Sequence, residues 1–114
     1  MVTLKSDDAL RGLGNNTNLY RRVLTKFVDS YTNAAETLAA HVNAQEYEEA
    51  ERLAHTIKGL AGSVGAPELA EKAMGIEQAL HAGADAEACQ PQLAQFATTL
   101  AETIAACREM VATL

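Results

Sequence analysis

The sequence AHTIKGLAGSVG, residues 54–65, predicts both the class of fold and the place of the functional site. Drawn as a helix at about 100° per residue, it has one apolar face, and His55, Gly59 and Gly62 lie roughly opposite, toward solvent. The apolar face, extended upstream, consists of Ala50, Leu53, Ala54, Ile57, Leu60, Ala61 and Val64. The pattern therefore predicts an amphipathic helix that presents a histidine to solvent.

The two glycines beside His55 are unfavourable for a helix. In an exposed helix interior each glycine costs about 1 kcal/mol relative to alanine, and the chain uses alanine freely elsewhere. We infer that another molecule comes close to the imidazole, because a side chain at position 59 or 62 would stand in its way.

Two helical segments precede this helix. Ser6 is a candidate N-cap for a short helix that Gly12 and Gly14 close. Asn16 offers a second cap, after which apolar residues recur at helical spacing to about Val42. The spacing predicts one long, uninterrupted amphipathic helix between these two residues.

Two helical segments follow it. Gly65 suits a left-handed helix terminator, and Pro67 suits the first turn of the next helix, which Gly83 ends. The last helix begins either at a cap on Asp85, with a kink at Pro91, or at Pro91 itself. The short connection at residues 65–66 predicts that the helices on either side are antiparallel neighbours.

Length and composition agree with a helical domain. A chain of 114 residues buries roughly two-thirds of its unfolded surface without a metal or disulfide, and only 4% of its residues are aromatic. We therefore predict an all-α fold, an antiparallel up-and-down four-helix bundle with a short extra N-terminal helix, as a single domain over residues 1–114.

Charge and hydropathy argue against several classes of function. A net charge of −6 with no basic surface argues against nucleic acid, and the local cluster of Arg21, Arg22 and Lys26 is best interpreted as a solvated helix face. No apolar run reaches the roughly 18 residues of a membrane span, and no signal peptide is apparent. We expect a soluble, cytoplasmic domain without membrane contact.

The two cysteines match no redox or zinc motif. Cys107 falls on the apolar stripe of the last helix and is expected to pack in the core. Cys89 lies near a helix start and is expected to be exposed. A reducing compartment suits both thiols.

A histidine on a helix surface can act as a base, a metal ligand or a nucleophile, or have no chemical role. Lys58 is three residues beyond His55, one turn along the same side of the helix. Its ammonium can therefore reach a group attached to the imidazole, and that group would have to be anionic.

This run resembles the H-x-x-K-G-x-x-x-x-x-G pattern of the histidine-containing phosphotransfer (HPt) domains of multistep two-component phosphorelays. The matching residues are His55, Lys58, Gly59 and Gly65. The resemblance continues from Ala9 to Gln78–Ala79, over most of the chain, and from Ala9 to Tyr31 it is closer to modules fused to hybrid sensor kinases than to free-standing ones.

The resemblance implies a role for each matching residue. His55 accepts a phosphoryl group from the aspartyl phosphate of a response-regulator receiver domain and passes it to another receiver aspartate. Lys58 stabilises the phosphate, while Gly59 and Gly62 leave an open surface for the partner. Glu77 stands at the position of a polar residue that orients the imidazole, where some members have glutamine. The alternative interpretation is that Glu77 is a surface charge beside the apolar stripe from Leu69 to Leu80.

The docking surface is expected to include Leu10, Leu13 and Arg52. The chain has no phosphate-binding loop, no paired metal-binding aspartates and no nucleotide motif, so we expect a carrier without kinase activity or a cofactor of its own. Mg²⁺ is expected in the partner receiver.

Two alternatives remain open from the sequence. A metal or haem site in the bundle would use His41, His55 and His81, although these residues are poorly arranged for it. A non-catalytic helical interaction module would use Gly59 and Gly62 for close helix packing and would leave the position of Lys58 a coincidence.

Overall fold

The computed structural model describes residues 2–114, and these residues form six helices and no strand, so the all-helical prediction is confirmed. The helices are α1 (Ser6–Gly12), α2 (Thr17–Tyr31), α3 (Ala34–Asn43), α4 (Tyr47–Val64), α5 (Pro67–His81) and α6 (Ala86–Thr113).

Several helix ends lie where local sequence signals predict them. The Asn16 side chain accepts a hydrogen bond from the Leu19 N–H (3.0 Å) and caps α2. Pro67 is the first residue of α5. Gly65, with φ of 83°, ends α4, and a Cβ there would lie 2.7 Å from the Lys5 carbonyl oxygen. Both the left-handed backbone and the close approach of another chain segment therefore require glycine at this position.

The predicted long second helix is wrong in one respect, because it is divided into α2 and α3 at Thr32 and Asn33. The Thr32 hydroxyl donates to the Val28 carbonyl one turn earlier, in competition with the helical backbone. Asn33 leaves the helical region with ψ of 14°, and its carbonyl accepts the Thr37 N–H (3.1 Å) at the start of α3.

The start of α6 decides the environment of Cys89. Asp85 caps this helix by accepting the Ala88 N–H (2.9 Å), so Pro91 lies inside the helix. Cys89 is then on the inner face and fully buried, which corrects the expectation of an exposed thiol. Cys107 is buried as predicted, and burial raises the pKa of its thiol to about 11.

Burial of one face of α4 places the opposite face of this helix toward solvent. Ala50, Ala54, Ile57, Ala61 and Val64 are buried, and α4 packs most extensively against α5. The end of α4 is also tied to other parts of the chain. The Tyr20 hydroxyl of α2 donates to the Val64 carbonyl (2.8 Å), and the Lys5 N–H donates to the Gly65 carbonyl (2.7 Å). With its inner face held in this way, α4 turns the opposite face to solvent.

Candidate functional site

His55 lies in the middle of the solvent-facing side of α4. Its side chain is 66% exposed, whereas its neighbours Ala54 and Ile57 are fully buried. The local reason is the apolar stripe, since burying that stripe fixes the rotation of the helix about its axis. The imidazole is consequently open to a macromolecular partner.

Glu77 of α5 connects His55 and Lys58. One carboxylate oxygen lies 2.6 Å from His55 Nδ1, and the other accepts a hydrogen bond from Lys58 Nζ at 2.7 Å. The Glu77 side chain is 19% exposed, so most of it is shielded between the two helices. A single carboxylate thus holds both side chains that the sequence pattern singled out.

The ionisation of Glu77 determines which ring nitrogen of His55 is protonated. The hydrogen bond from Lys58 lowers the pKa of Glu77, partial burial opposes this effect, and His55 adds to it. A carboxylate ionised at neutral pH only accepts hydrogen bonds, so we assign the proton to His55 Nδ1. The other nitrogen, Nε2, has its lone pair available and is not hydrogen-bonded to any group within residues 2–114.

The glycines beside His55 have no internal packing role. A Cβ built on Gly59 or Gly62 meets no atom within 4 Å. The chain itself would therefore accept side chains at both positions, in contrast to Gly65. This observation removes the helix-packing explanation for Gly59 and Gly62 on which the non-catalytic alternative depended.

A shallow cavity of about 530 Å³ lies on the other side of His55, toward the start of α4. It is lined by Glu48, Glu51, Arg52, His55 and Glu77. The Arg52 side chain is exposed, as is Glu48, and Glu51 lies 3.5 Å from His81 Nδ1 of α5. Arg52 thus belongs to the immediate surroundings of the histidine.

Leu10 and Leu13 are half-buried and pack against the hydrophobic core. Part of each side chain remains accessible beside α4, against which α1 packs. Their part in docking stays a prediction.

The three histidines are held by three different carboxylates. His41 Nδ1 lies 2.9 Å from Glu46, and His55 and His81 contact the carboxylates already described. Among the described residues, no group of three or more histidine, cysteine, aspartate or glutamate side chains is arranged to hold a metal ion. The structure therefore does not bring together the histidines of the metal or haem alternative.

Sequence reasoning missed the contact between Lys58 and Glu77 and the pairing of Glu51 with His81. Both pairs join α4 to α5, and no spacing within one helix reveals them.

None of the helices in residues 2–114 combines the length and the hydrophobicity that crossing a membrane requires.

Comparison with known families agrees with the geometry of the site. The Hpt domain family matches residues 22–112 of the 114-residue chain, a range that includes His55, Lys58 and Glu77. A search of curated proteins finds no match. Hpt domains act in phosphotransfer in two-component relays and interact with receiver domains. With a match over most of its length, the chain belongs to the Hpt domain family.

Proposed function

We propose that this chain is a phosphorelay intermediate that accepts a phosphoryl group on His55 from a receiver aspartyl phosphate and passes it to the aspartate of another receiver. One observation carries the proposal. His55 is exposed, and its Nδ1 is held by Glu77, which leaves Nε2 as the nucleophile.

The transfer step balances without a proton acceptor. The Nε2 lone pair attacks phosphorus, the bond between phosphorus and the aspartyl oxygen breaks, and its electron pair returns to the aspartate. Because Nδ1 keeps its proton, the ring becomes a phosphorylated imidazolium, and the Glu77 carboxylate stabilises the positive charge that develops. Attack by the second aspartate reverses these changes.

In this scheme the Lys58 ammonium can reach two anionic groups, the Glu77 carboxylate and the phosphoryl group on His55. Its ammonium is bound to Glu77 before transfer, and its flexible stem allows it to move toward the phosphoryl group afterwards. We expect no cofactor in this chain, because Mg²⁺ held by the partner receiver would supply the positive charge at the phosphoryl group.

The proposed docking surface is the outer face of α4. Gly59 and Gly62 provide bare backbone beyond His55, Arg52 lies on the other side, and Leu10 and Leu13 extend the surface onto α1.

We interpret α2 with α3 as one arm of an antiparallel four-helix bundle completed by α4, α5 and α6, with α1 at one end. The bond between Tyr20 and Val64 supports this topology, because it joins the start of α2 to the end of α4. We place the domain in the cytoplasm, either free or within a hybrid sensor kinase.

The test is incubation of the purified chain with phosphorylated receiver domains, followed by measurement of acid-labile, base-stable phosphate. Wild-type chain is expected to become labelled, and the His55→Gln variant is expected to stay unlabelled with unchanged helicity. His81→Gln is the matched control, since His81 is exposed and paired with a glutamate but lies outside the proposed step. Labelling of His55→Gln would rule out the site, and receiver binding without labelling of wild type would favour a non-catalytic interaction module.

A further inference from the structure

Two cationic side chains flank His55 at equal spacing on α4. Arg52 precedes it by three residues and Lys58 follows it by three. Residues three apart on a helix are neighbours, with Cβ atoms roughly 5–6 Å apart, so each cation lies one turn from the imidazole. The site therefore offers positive charge on both sides of the nucleophile.

The two cations differ in what holds them. Lys58 Nζ is hydrogen-bonded to Glu77 at 2.7 Å. Arg52 is exposed, and no hydrogen bond or ion pair joins it to another group within the described chain. The nearby carboxylates of Glu48 and Glu51 line the same cavity, but neither forms an ion pair with Arg52. Of the two cations, Arg52 is therefore the one that can bind an incoming anion without first breaking an ion pair.

The charge of the cavity favours a role for such a cation. Three of the five residues that line it are glutamates, and they repel a phosphoryl dianion near His55. A guanidinium offsets this repulsion well, because its planar set of N–H donors matches two phosphate oxygens at once. Arg52 is the only basic residue, apart from the histidine itself, that lines this cavity.

We propose that Arg52 binds the phosphoryl group as it joins and leaves His55, from the side opposite Lys58. The inference deepens the proposed phosphotransfer function and rests on it. It gives Arg52 a contact with the transferred group itself, beyond a place in the docking surface.

The test uses phosphoramidate, a small phosphoryl donor, so that receiver docking plays no part. Nε2 attacks phosphorus, the P–N bond of the donor breaks, and its electron pair leaves with the nitrogen, which takes up a proton from water to form ammonia. We expect Arg52→Gln to slow labelling of His55 about fivefold, in line with one lost exposed ion pair to phosphate. Arg52→Lys is expected to recover part of the rate, because a cation remains. Arg22→Gln, at an exposed arginine of α2, is the matched control and is expected to label at the wild-type rate.

A second measurement separates phosphate binding from docking. Affinity for an unphosphorylated receiver measures the contribution of Arg52 to docking, which labelling by phosphoramidate does not include. Equal labelling rates for wild type and Arg52→Gln with phosphoramidate would overturn the proposal, and weaker receiver binding with an unchanged labelling rate would assign Arg52 to docking alone. Failure of wild type to take up phosphate from a phosphorylated receiver would instead contradict the proposed function, and this inference with it.

Discussion

Replacement of Glu77 perturbs the one group that contacts both His55 and Lys58. In Glu77→Gln an amide oxygen still accepts the Nδ1 proton, but a neutral acceptor replaces the charged carboxylate. Hydrogen bonds to charged groups contribute about 1.5–3 kcal/mol and neutral ones about 0.5–1.5 kcal/mol. The difference of about 1 kcal/mol, applied to the imidazolium that forms during transfer, predicts a rate about fivefold lower. Glu77→Ala removes the acceptor altogether, and we expect a loss of about tenfold or more.

The assay combines a rate with a spectroscopic measurement of the ring. Transfer from a phosphorylated receiver gives the rate, and the ¹⁵N chemical shifts of His55 report which nitrogen carries the proton. Wild type and Glu77→Gln are expected to keep the proton on Nδ1, whereas Glu77→Ala is expected to show a mixture of both tautomers. Glu49→Gln is the matched control, because Glu49 is an exposed carboxylate of α4 without a contact to the histidine.

The tautomer measurement is needed because Lys58 also affects the rate of phosphotransfer in the Glu77 variants. Removing Glu77 frees the ammonium to bind phosphate, which acts in the opposite direction to the loss of the His55 contact. If Glu77→Ala keeps the wild-type tautomer and also transfers at the wild-type rate, Glu77 does not position the imidazole and the reasoning is refuted.

Three further predictions concern stability. Because the folded-state pKa of Glu77 is lowered, this group stabilises the fold above its unfolded-state pKa, near 4.5, and that contribution is lost as pH falls through the lower folded-state value. Urea unfolding at about pH 7 and about pH 3 should therefore show a smaller acid destabilisation for Glu77→Gln than for wild type, and an equal loss in both would contradict this. Gly62→Ala should raise the free energy of unfolding by about 1 kcal/mol, because the added Cβ contacts no atom within 4 Å. The same variant should slow phosphotransfer from a receiver, and faster transfer would argue against a docking role for Gly62. Gly65→Ala should lower the melting temperature, with a cost of about 1–2 kcal/mol from the left-handed backbone alone and more from the approach of Lys5, and an unchanged melting temperature would show that this turn is not constrained.

Much of the fold could be predicted because its signals are local. The cap at Asn16, the terminator at Gly65 and the helix start at Pro67 depend on backbone geometry within a few residues. The break at Thr32 escaped prediction because the apolar stripe continues across it, and periodicity alone does not register a hydroxyl that competes for a backbone carbonyl. Cys89 is buried because α6 begins after the Asp85 cap, which turns that thiol inward, and the sequence alone left the start of this helix open between Asp85 and Pro91.

The candidate site likewise has features that the sequence predicts and features that depend on tertiary packing. Periodicity by itself determined that His55 faces solvent, that Lys58 lies one turn along the same side and that bare backbone adjoins them, because all of these positions belong to one helix with one buried face. Only the tertiary structure decided that Glu77 holds both side chains and that Arg52 has no such partner. The physical reason is that these contacts depend on the register between α4 and α5, which the packing of both helices sets and which no spacing along either helix records.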